Sequence, residues 1–374
     1  MKRFGRSLTE PPAAGAVGDR PELSHQKLIN ERVGMKPKRV SLVKIAKEAG
    51  VSAQTVSRVV HGHSNVALET REKIQAIIDR RGYHPSRFAR SLLRGRSYTI
   101  GVVSYELGLY GPSQTLAGIV REANKQGYSV LPNMWHDAEK KDANEVIGEL
   151  LEYHVDGIIW AVPQIGDNRD WVQKVIKRQD IPIVFTTMEN QPNLTIVTVN
   201  NRAGGRLATQ HLIDRGCRTI GMIKGHPDWW EARERLQGWR EAMRQNGLTI
   251  NESLIVPGDW SAEIGEKQMA ALLQRHPEID GVFVANDSMA VGGLKAARQL
   301  GRKVPDDLAV IGFDDVPEAA YFYPALTTIR QNLDCLGSRA VTELNKLIDS
   351  NKSERSLPTE PILIEPELIV RESS

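Results

Sequence analysis

Two groups of residues in this chain of 374 residues have types and spacing suited to molecular recognition. The first group lies in the stretch AGVSAQTVSRVV, which begins at Ala49 and contains Gln54, Ser57 and Arg58. Gln can make a bidentate contact with adenine, and Arg can do the same with O6 and N7 of guanine. A helix that exposes these side chains fits the DNA major groove, so the first group predicts base recognition.

The second group stands directly after short apolar runs in the remainder of the chain. Its members are Asn286 and Asp287 after GVFVA, Asp314 and Asp315 after LAVIGF, Arg233 and Arg235 in HPDWWEARERLQGW, and Asp259 and Trp260 in GDWSAEIG. Asp, Asn and Arg can bind the vicinal hydroxyls of a sugar, and Trp can stack on its C–H face. For Asp287 and Asp315, capping of the following helix is the alternative role.

Three short helices are predicted to position the first group. Apolar residues at Leu42, Ile45, Ala46 and Ala49 follow one helix face, and Gly50 can end that helix in the left-handed conformation. Ser41 and Ser52 are plausible N-caps of the first and second helices. A third helix is predicted from about residue 69 to 81. The pattern predicts a helix-turn-helix, with an ordinary helical hairpin as the alternative.

The second group is carried by a different pattern, which begins at about Tyr98. Runs such as TIGVVS, VDGIIWAV, IPIVFTT, TIVTV, TIGMIKG and GVFVAND alternate with amphipathic segments. This alternation is typical of parallel strands with crossover helices, and there are enough strands for two doubly wound sheets. Ligands of such sheets bind beyond the carboxyl ends of the strands, where the second group stands.

The charge distribution separates the two regions. Residues 38–96 contain thirteen Lys and Arg against four Asp and Glu, whereas residues 97–374 contain 29 basic and 38 acidic residues. A basic unit joined to an acidic remainder indicates that only the first meets a polyanion, unless the charge is simply a solvated face.

Composition and missing motifs exclude several classes of protein. No run of 18 apolar residues predicts a membrane span, and the basic start lacks the apolar core of a secretory signal. Cys217 and Cys335 cannot frame a disulfide scaffold, so we expect a reducing cytoplasm. No GxSxG, P-loop or metal-spaced His/Cys cluster occurs, so we expect neither an enzyme nor a cofactor. Residues 1–37 are predicted to be a disordered leader, with a helix around 23–33 as the alternative.

From about Arg39 onward the chain resembles the LacI/GalR family of transcription regulators. The resemblance rests on AGVSAQTVSRVV, TREKI, GYHPS and ARSL, and then on LGLYGPSQTLAGI, GDWSAEIG, VANDSMAVGGL, GFDDVPEAAYFYPALTTIRQN and PELIVRESS. The later motifs are most similar to the lac-type, β-glycoside-responsive branch. The implied fold is an all-α helix-turn-helix domain followed by an α/β periplasmic-binding-protein-like core of two doubly wound subdomains.

The resemblance also implies domain boundaries. The helix-turn-helix domain would span residues 38–85, the hinge helix or linker 86–97, and the sugar-binding core 98–374. Within the core, one subdomain would comprise about 98–200 and 332–360, and the other about 201–331 and 361–371.

The resemblance implies DNA contacts by position. The implied phosphate contacts are Ser41, Leu42, Ser52, Ser57 and Thr70; the base contacts are Ala53, Gln54 and Arg58; the flanking contacts are His61 and Asn65; the contacts in and near the hinge are Tyr83, Ser86, Ala89 and Leu92. Leu92 would wedge into a central minor-groove step when two hinge helices pair on DNA. A flexible basic linker is the alternative for the hinge.

Ligand contacts are implied in the same way. Arg235, Asn286 and Asp314 would hold sugar hydroxyls, and Trp260 would stack on the ring. The apolar side would be formed by Leu109, Gly111, Pro112, Leu333 and Leu336. Thr187 stands where lac-type members carry a ligand-holding Asp, and Val199 where they carry Phe. Trp229 and Trp230 would either form a platform for a second ring or pack a loop.

The implied function is repression of carbohydrate-utilisation genes. The partners would be pseudo-palindromic operator DNA, a second copy of the chain, and a β-galactoside or β-glucoside that releases the DNA. The chain ends without leucine heptads, so we expect a dimer rather than a tetramer, with QTLAGIVREANKQG contributing to its interface. The alternatives are a corepressed regulator of the purine type and a sugar receptor without a DNA function.

Overall fold

The computed structural model describes residues 40–60, 65–83, 96–135, 142–176, 181–350 and 359–374. The predicted leader, most of the predicted hinge, and the predicted contacts His61, Ser86, Ala89 and Leu92 lie outside the described residues. The chain divides into two compact units, residues 1–89 and 90–374. Within the described ranges, no helix is long and apolar enough to cross a membrane.

The first unit contains three helices around one small core. They are α1 (Leu42–Ala49), α2 (Ala53–Val60) and α3 (Leu68–Arg81). The Ser41 hydroxyl accepts a hydrogen bond from the Lys44 amide, and Gly50 ends α1 at a φ of 72°. Ile45, Val56 and Ile74 are fully buried between the helices. The predicted helix-turn-helix is therefore confirmed.

The second unit contains parallel sheets covered by helices. Its strands are β1 (Thr99–Tyr105), β2 (Ser129–Trp135), β3 (Gly157–Ala161), β4 (Ile183–Thr186), β5 (Thr195–Val199), β6 (Ile220–Ile223), β7 (Ile255–Val256), β8 (Gly281–Val284), β9 (Ala309–Ile311), β10 (Thr328–Arg330), β11 (Ile362–Ile364) and β12 (Glu367–Ile369). Its helices are α4 (Tyr110–Lys125), α5 (Ala143–Glu152), α6 (Val172–Ile176), α7 (Asn201–Asp214), α8 (Trp230–Gln245), α9 (Ala262–Arg275), α10 (Asp287–Gln299) and α11 (Leu333–Asp349), with 3₁₀ turns at Glu252–Leu254 and Pro317–Tyr321.

The strands form two parallel sheets and one antiparallel ladder. The first sheet has the order β11-β5-β4-β3-β1-β2, and the second has the order β7-β6-β8-β9. Strands β10 and β12 pair with each other as the ladder. Fully buried strands such as β3 read as continuous apolar runs because helices cover both faces of a parallel sheet. The predicted pair of doubly wound sheets is confirmed.

The predicted subdomain boundary at residue 361 is wrong for β11. Ile362 pairs with Val197 of β5, so this strand extends the first sheet and does not belong to the second subdomain. The chain leaves the first sheet only after Ile364, because β12 joins the ladder with β10. A run as short as ILI can extend either sheet, and here it pairs with the open edge of β5.

Helices α7 and α8 approach each other at two glycines. A Cβ atom on Gly238 would lie 2.1 Å from the Arg202 carbonyl oxygen, and one on Gly205 would lie 2.2 Å from the Arg235 carbonyl oxygen. Real Cβ atoms do not tolerate such distances. The two glycines therefore permit the backbone contact that brings Asn201, at the start of α7, to Arg235 of α8.

We predict that Gly238→Ala destabilises the second unit by about 1–3 kcal/mol, because the added methyl must push the two helices apart. Urea unfolding followed by tryptophan fluorescence measures the change. The matched control is Gly148→Ala in α5, where a Cβ atom would meet no atom within 4 Å. That change should stabilise the unit by about 0.5–1 kcal/mol through helix propensity. Equal effects of the two substitutions would contradict the close packing of α7 and α8.

Candidate functional site

Helix α2 presents a polar face to solvent. Val56 and Val59 are buried, whereas Ala53, Gln54 and Arg58 are exposed and Ser57 is half-buried. The Ser52 hydroxyl caps the helix by accepting a hydrogen bond from the Thr55 amide at 3.1 Å. The predicted base-contact residues therefore share one exposed face of a capped helix.

The other described DNA-contact candidates lie on the same small unit. Ser41 and Asn65 are exposed, and Thr70 and Tyr83 are half-buried. Leu42 packs its side chain against the core, which leaves its backbone N–H, in the first turn of α1, as the group suited to a phosphate contact. The contacts of this whole set with DNA stay a prediction.

The second unit contains a cavity of about 680 Å³, part of it open to solvent, at the carboxyl ends of strands from both sheets. Of the ten predicted ligand contacts, nine line it: Leu109, Gly111, Pro112, Thr187, Arg235, Trp260, Asn286, Asp314 and Leu333. The exception is Leu336, which is fully buried in the core beside the first sheet. Because α11 turns this side chain toward the sheet, Leu336 packs the core and does not line the cavity.

Arg235 lies at the centre of the polar wall of the cavity. Its Nε donates a hydrogen bond to Asn201 Oδ1 at 2.8 Å, and its Nη1 donates to the Ala285 carbonyl. The guanidinium stacks over the Phe313 ring, 3.7 Å from the ring centroid, and lies 5.5 Å from that of Trp260. Burial lowers the pKa of Arg235, and the negative charge of Asp314 opposes this shift. The planar cation is thus held by partners on its edge and on its face.

Asp314 is the buried carboxylate whose negative charge acts most strongly on this guanidinium. Burial raises its pKa from 3.8 to about 6, while Arg235 and a hydrogen bond from Gln331 Nε2 lower it. Its backbone has a φ of 126°, a conformation that a non-glycine residue adopts only when its surroundings enforce it. Thr187 and Trp260 also line the cavity with positive φ values of 53° and 76°.

The sequence offered helix capping as the alternative role of Asp287 and Asp315, and the structure does not show it. Asn286, not Asp287, caps α10 by accepting a hydrogen bond from the Met289 amide at 2.9 Å. The Asn286 Nδ2 group also donates to the Trp260 carbonyl at 3.1 Å. Asp287 instead accepts hydrogen bonds from the Thr328 hydroxyl and the Val316 amide. Asp315 forms ion pairs with arginines from β10 and the C-terminal segment. Capping is thus the wrong role for both aspartates.

An aromatic row borders the cavity. The Trp260 ring lies against Gly225, where a Cβ atom would be 2.0 Å from the indole. Trp229 lines the cavity with its ring centroid 5.4 Å from that of Trp260 and 5.7 Å from that of Tyr105. Trp230 is not among the lining residues and begins α8. Of the two alternatives for the Trp pair, Trp229 is therefore positioned to meet a ligand and Trp230 is not.

Comparison with known proteins gives a family for this architecture. The lacI family of bacterial regulatory proteins matches residues 41–86, and a periplasmic binding protein-like domain matches residues 209–374. The lactose operon repressor of Escherichia coli (strain K12) is 34% identical over 314 residues, which cover 84% of this chain and 85% of that protein. The chain belongs to the lacI family of bacterial regulatory proteins.

Further relatives within the lacI family differ in what their names say they regulate. The repressor PurR of Klebsiella pneumoniae is 32% identical over 325 residues, covering 86% of this chain and 94% of that protein. The solved lac repressor dimer bound to operator and the anti-inducer ONPF has a TM-score of 0.79, 31% identity, and coverage of 90% and 99%. The regulator CelR in complex with cellobiose has a TM-score of 0.65, 31% identity, and coverage of 90% and 100%.

As a lacI-family member, the chain is a DNA-binding transcriptional repressor with a periplasmic binding protein-like core, and not an enzyme. Among the described residues, no group of three or more His, Cys, Asp or Glu could hold a metal ion. The predicted family and fold class are confirmed.

Some residues of this lacI-family cavity were not singled out from the sequence. They are Thr115, Ala161, Pro163, Thr186, Asn201, Glu231 and Gln331. Asn201 and Gln331 stand just after β5 and β10, so the rule that located Asn286 and Asp314 would also have located them. Glu231 carries no such signal, because it lies inside a helix.

We predict that Asp314→Asn flattens the pH dependence of stability of this lacI-family core. A carboxyl whose folded pKa of about 6 exceeds its ordinary 3.8 binds its proton more tightly in the folded state. The unfolding free energy therefore falls by up to about 3 kcal/mol on its account as pH rises from about 4 to about 6. All seven Trp residues lie beyond residue 134, so tryptophan fluorescence in urea at pH 4.5, 5.5 and 6.5 reports on the core alone. The surface change Asp306→Asn is the control, and parallel profiles for Asp314→Asn and the native chain would contradict the prediction.

Proposed function

We propose that this chain represses carbohydrate-utilisation genes as a cytoplasmic homodimer, and that a small neutral sugar of the β-galactoside or β-glucoside class releases it from its operator. In this proposal residues 38–85 bind DNA, residues 86–97 form the hinge, and residues 98–374 bind the sugar. The observation that carries it is the cavity, in which an indole face lies beside hydrogen-bonding groups that are already oriented by the fold.

The DNA side of the proposal rests on α2. Its exposed Gln54 and Arg58 have the chemistry for adenine and guanine, and its Ser52 cap leaves the helix N-terminus suited to a phosphate. The solved lac repressor relative is a dimer bound to operator. A two-fold symmetric dimer of this chain requires a pseudo-palindromic site with two equivalent half-sites.

The sugar side rests on the division of the cavity into unlike walls. Trp260, Arg235, Asp314 and Asn286 form one wall, and Leu109 and Leu333 contribute apolar surface. A pyranose has C–H faces that stack on indole and a rim of hydroxyls that need partners. One solved relative is bound to the anti-inducer ONPF and another to cellobiose, as their names state. Trp229, next to Trp260, provides a surface for a second ring, which favours a disaccharide.

Release from DNA requires that the sugar bind the conformation incompetent for DNA more tightly than the competent one, because a ligand with equal affinity shifts no equilibrium. The cavity is lined from strands of both sheets, so a bound ligand joins the two subdomains. We infer that the ligand draws the two subdomains together, and that this change unpairs the hinges of the dimer.

Corepression by a planar base is the second candidate function. Tyr110 lines the cavity and can stack on a base, and PurR is among the relatives. The two candidates predict opposite signs: the sugar weakens operator binding, whereas a corepressor strengthens it.

Fluorescence anisotropy tests the proposal. Pseudo-palindromes selected from random DNA are titrated with the full chain alone and with lactose, allolactose, cellobiose, galactose or hypoxanthine. Release by a β-disaccharide supports the proposal and names the sugar. Tighter binding with hypoxanthine would replace it with corepression. Selection of no palindrome would remove the base-reading role of α2.

We predict that Arg58→Ala weakens binding to the selected operator by about 1–3 kcal/mol, because a bidentate contact to guanine is lost. The same anisotropy titration measures it. Random duplex DNA is the internal control, since loss of a base contact affects nonspecific binding much less than loss of a phosphate contact. Equal weakening on both DNAs would mean that Arg58 contacts the phosphate backbone.

A further inference from the structure

A buried carboxylate with one unpaired oxygen lies at the start of α8. Glu231 is 7% exposed and lines the cavity. Among the described residues, its Oε2 atom has no hydrogen-bond partner. A buried acceptor left unpaired in a native protein is destabilising, so this oxygen requires a further partner, which is a water molecule or a ligand group.

The arginines around Glu231 are occupied by other partners. Arg169, 3% exposed, donates from Nη2 to the Val162 carbonyl and from Nη1 to Asn168. Arg233 donates to the Asp228 carbonyl, and Arg235 donates to Asn201 and Ala285. Within the described part of the chain, no salt bridge includes Glu231. The three cations therefore favour a negative charge at Glu231 without occupying its oxygens.

Two other unpaired polar atoms belong to the cavity lining. They are the Thr186 hydroxyl oxygen and the Trp260 Nε1 atom, each buried and without a partner in the described structure. The indole N–H can only donate, the carboxylate can only accept when ionised, and the hydroxyl can do both. A ligand that reached all three atoms would have to both donate and accept hydrogen bonds, as sugar hydroxyls do.

We propose that Glu231 is a specificity-determining residue of the effector site, and that its ionised carboxylate accepts a hydrogen bond from a hydroxyl of a neutral sugar. This inference rests on the proposed function. The lining contains the carboxylates of Glu231 and Asp314 but only one guanidinium, that of Arg235. An anionic effector such as a sugar phosphate is therefore disfavoured, and a neutral polyol is favoured.

The protonation of Glu231 provides a distinctive signature. Burial raises its pKa to about 7, while Arg235 and Arg169, from the segment after β3, and Arg233 oppose the shift. A hydroxyl that donates to the carboxylate favours the ionised form and lowers this pKa in the complex. The sugar therefore binds more tightly as pH rises to about 7, and its affinity levels off above that pH.

Isothermal titration of the full chain tests the assignment, with cellobiose, lactose, allolactose and galactose as probes at pH 6 and pH 8. For the sugar that the native chain binds, affinity should be about twentyfold higher at pH 8. About tenfold comes from Glu231, since about a tenth of a group with a pKa near 7 is ionised at pH 6, and about twofold comes from Asp314, since about half of a group with a pKa near 6 is ionised at that pH. Glu231→Gln should weaken binding about tenfold or more at pH 8. It should keep only the roughly twofold pH dependence that Asp314 contributes.

Glu234→Gln is the matched control, because Glu234 lies on the same helix, is half-buried and does not line the cavity. It should keep the native affinity and pH profile. Monodeoxy analogues of the bound sugar provide a second readout: the analogue that lacks the bonded hydroxyl should bind the native chain and Glu231→Gln equally. If the role of Glu231 were only structural, Glu231→Gln would weaken the binding of all analogues alike.

The outcomes separate this inference from the function on which it rests. Native affinity and pH dependence in Glu231→Gln would overturn the role of Glu231 while leaving a sugar-responsive repressor. If the native chain binds none of the four sugars, both proposals fail. Weakened binding that keeps the native pH dependence, in a variant that still unfolds cooperatively, would assign Glu231 to support of the helix and overturn the contact.

Discussion

The burial of the Arg235 guanidinium is the constraint on which the periplasmic binding protein-like core depends. This cation is 5% exposed, and an arginine buried without partners would destabilise the fold by several kcal/mol. It is stabilised by Asn201 from α7, by the Ala285 carbonyl after β8, and by the Phe313 ring after β9. Three elements must therefore keep their relative positions, and the glycine contact between α7 and α8 permits this arrangement. The geometry of the polar wall therefore follows from the contacts that stabilise the buried Arg235 cation.

The remaining polar groups of the cavity are oriented by the fold and are only partly satisfied. Asn286 is held by a helix cap and a backbone carbonyl, and Asp314 by Gln331 and an enforced backbone conformation. Glu231 and the Trp260 indole keep unpaired atoms. Side chains that are already oriented lose little freedom on binding, and unpaired atoms gain a hydrogen bond. A cavity built in this way favours a ligand rich in hydroxyls.

The two units of the chain obtain their properties from different physics. The first is small and basic, its core is a few aliphatic residues between three helices, and its exposed α2 face carries the recognition chemistry. The second is acidic and large, and its two parallel sheets bring strand ends together. In a lacI-family regulator, coupling requires that the ligand distinguish two arrangements of the second unit. The lining from both sheets supplies a contact able to do so.

The sequence by itself determined the three helices, the succession of parallel strands and part of the polar wall of the cavity. These features follow from local patterns: Gly50 ends a helix by its own conformation, and Asn286 and Asp314 stand after apolar runs whose carboxyl ends must meet. Only the tertiary structure decided the sheet to which β11 belongs, that Asn286 caps α10, and that Leu336 is buried. It alone placed Glu231 at the cavity, because the direction of a helical side chain depends on which helix face packs. Short runs and single polar residues allow several local roles. The role that each takes depends on partners distant in sequence, such as the open edge of β5 for β11 and Thr328 for Asp287.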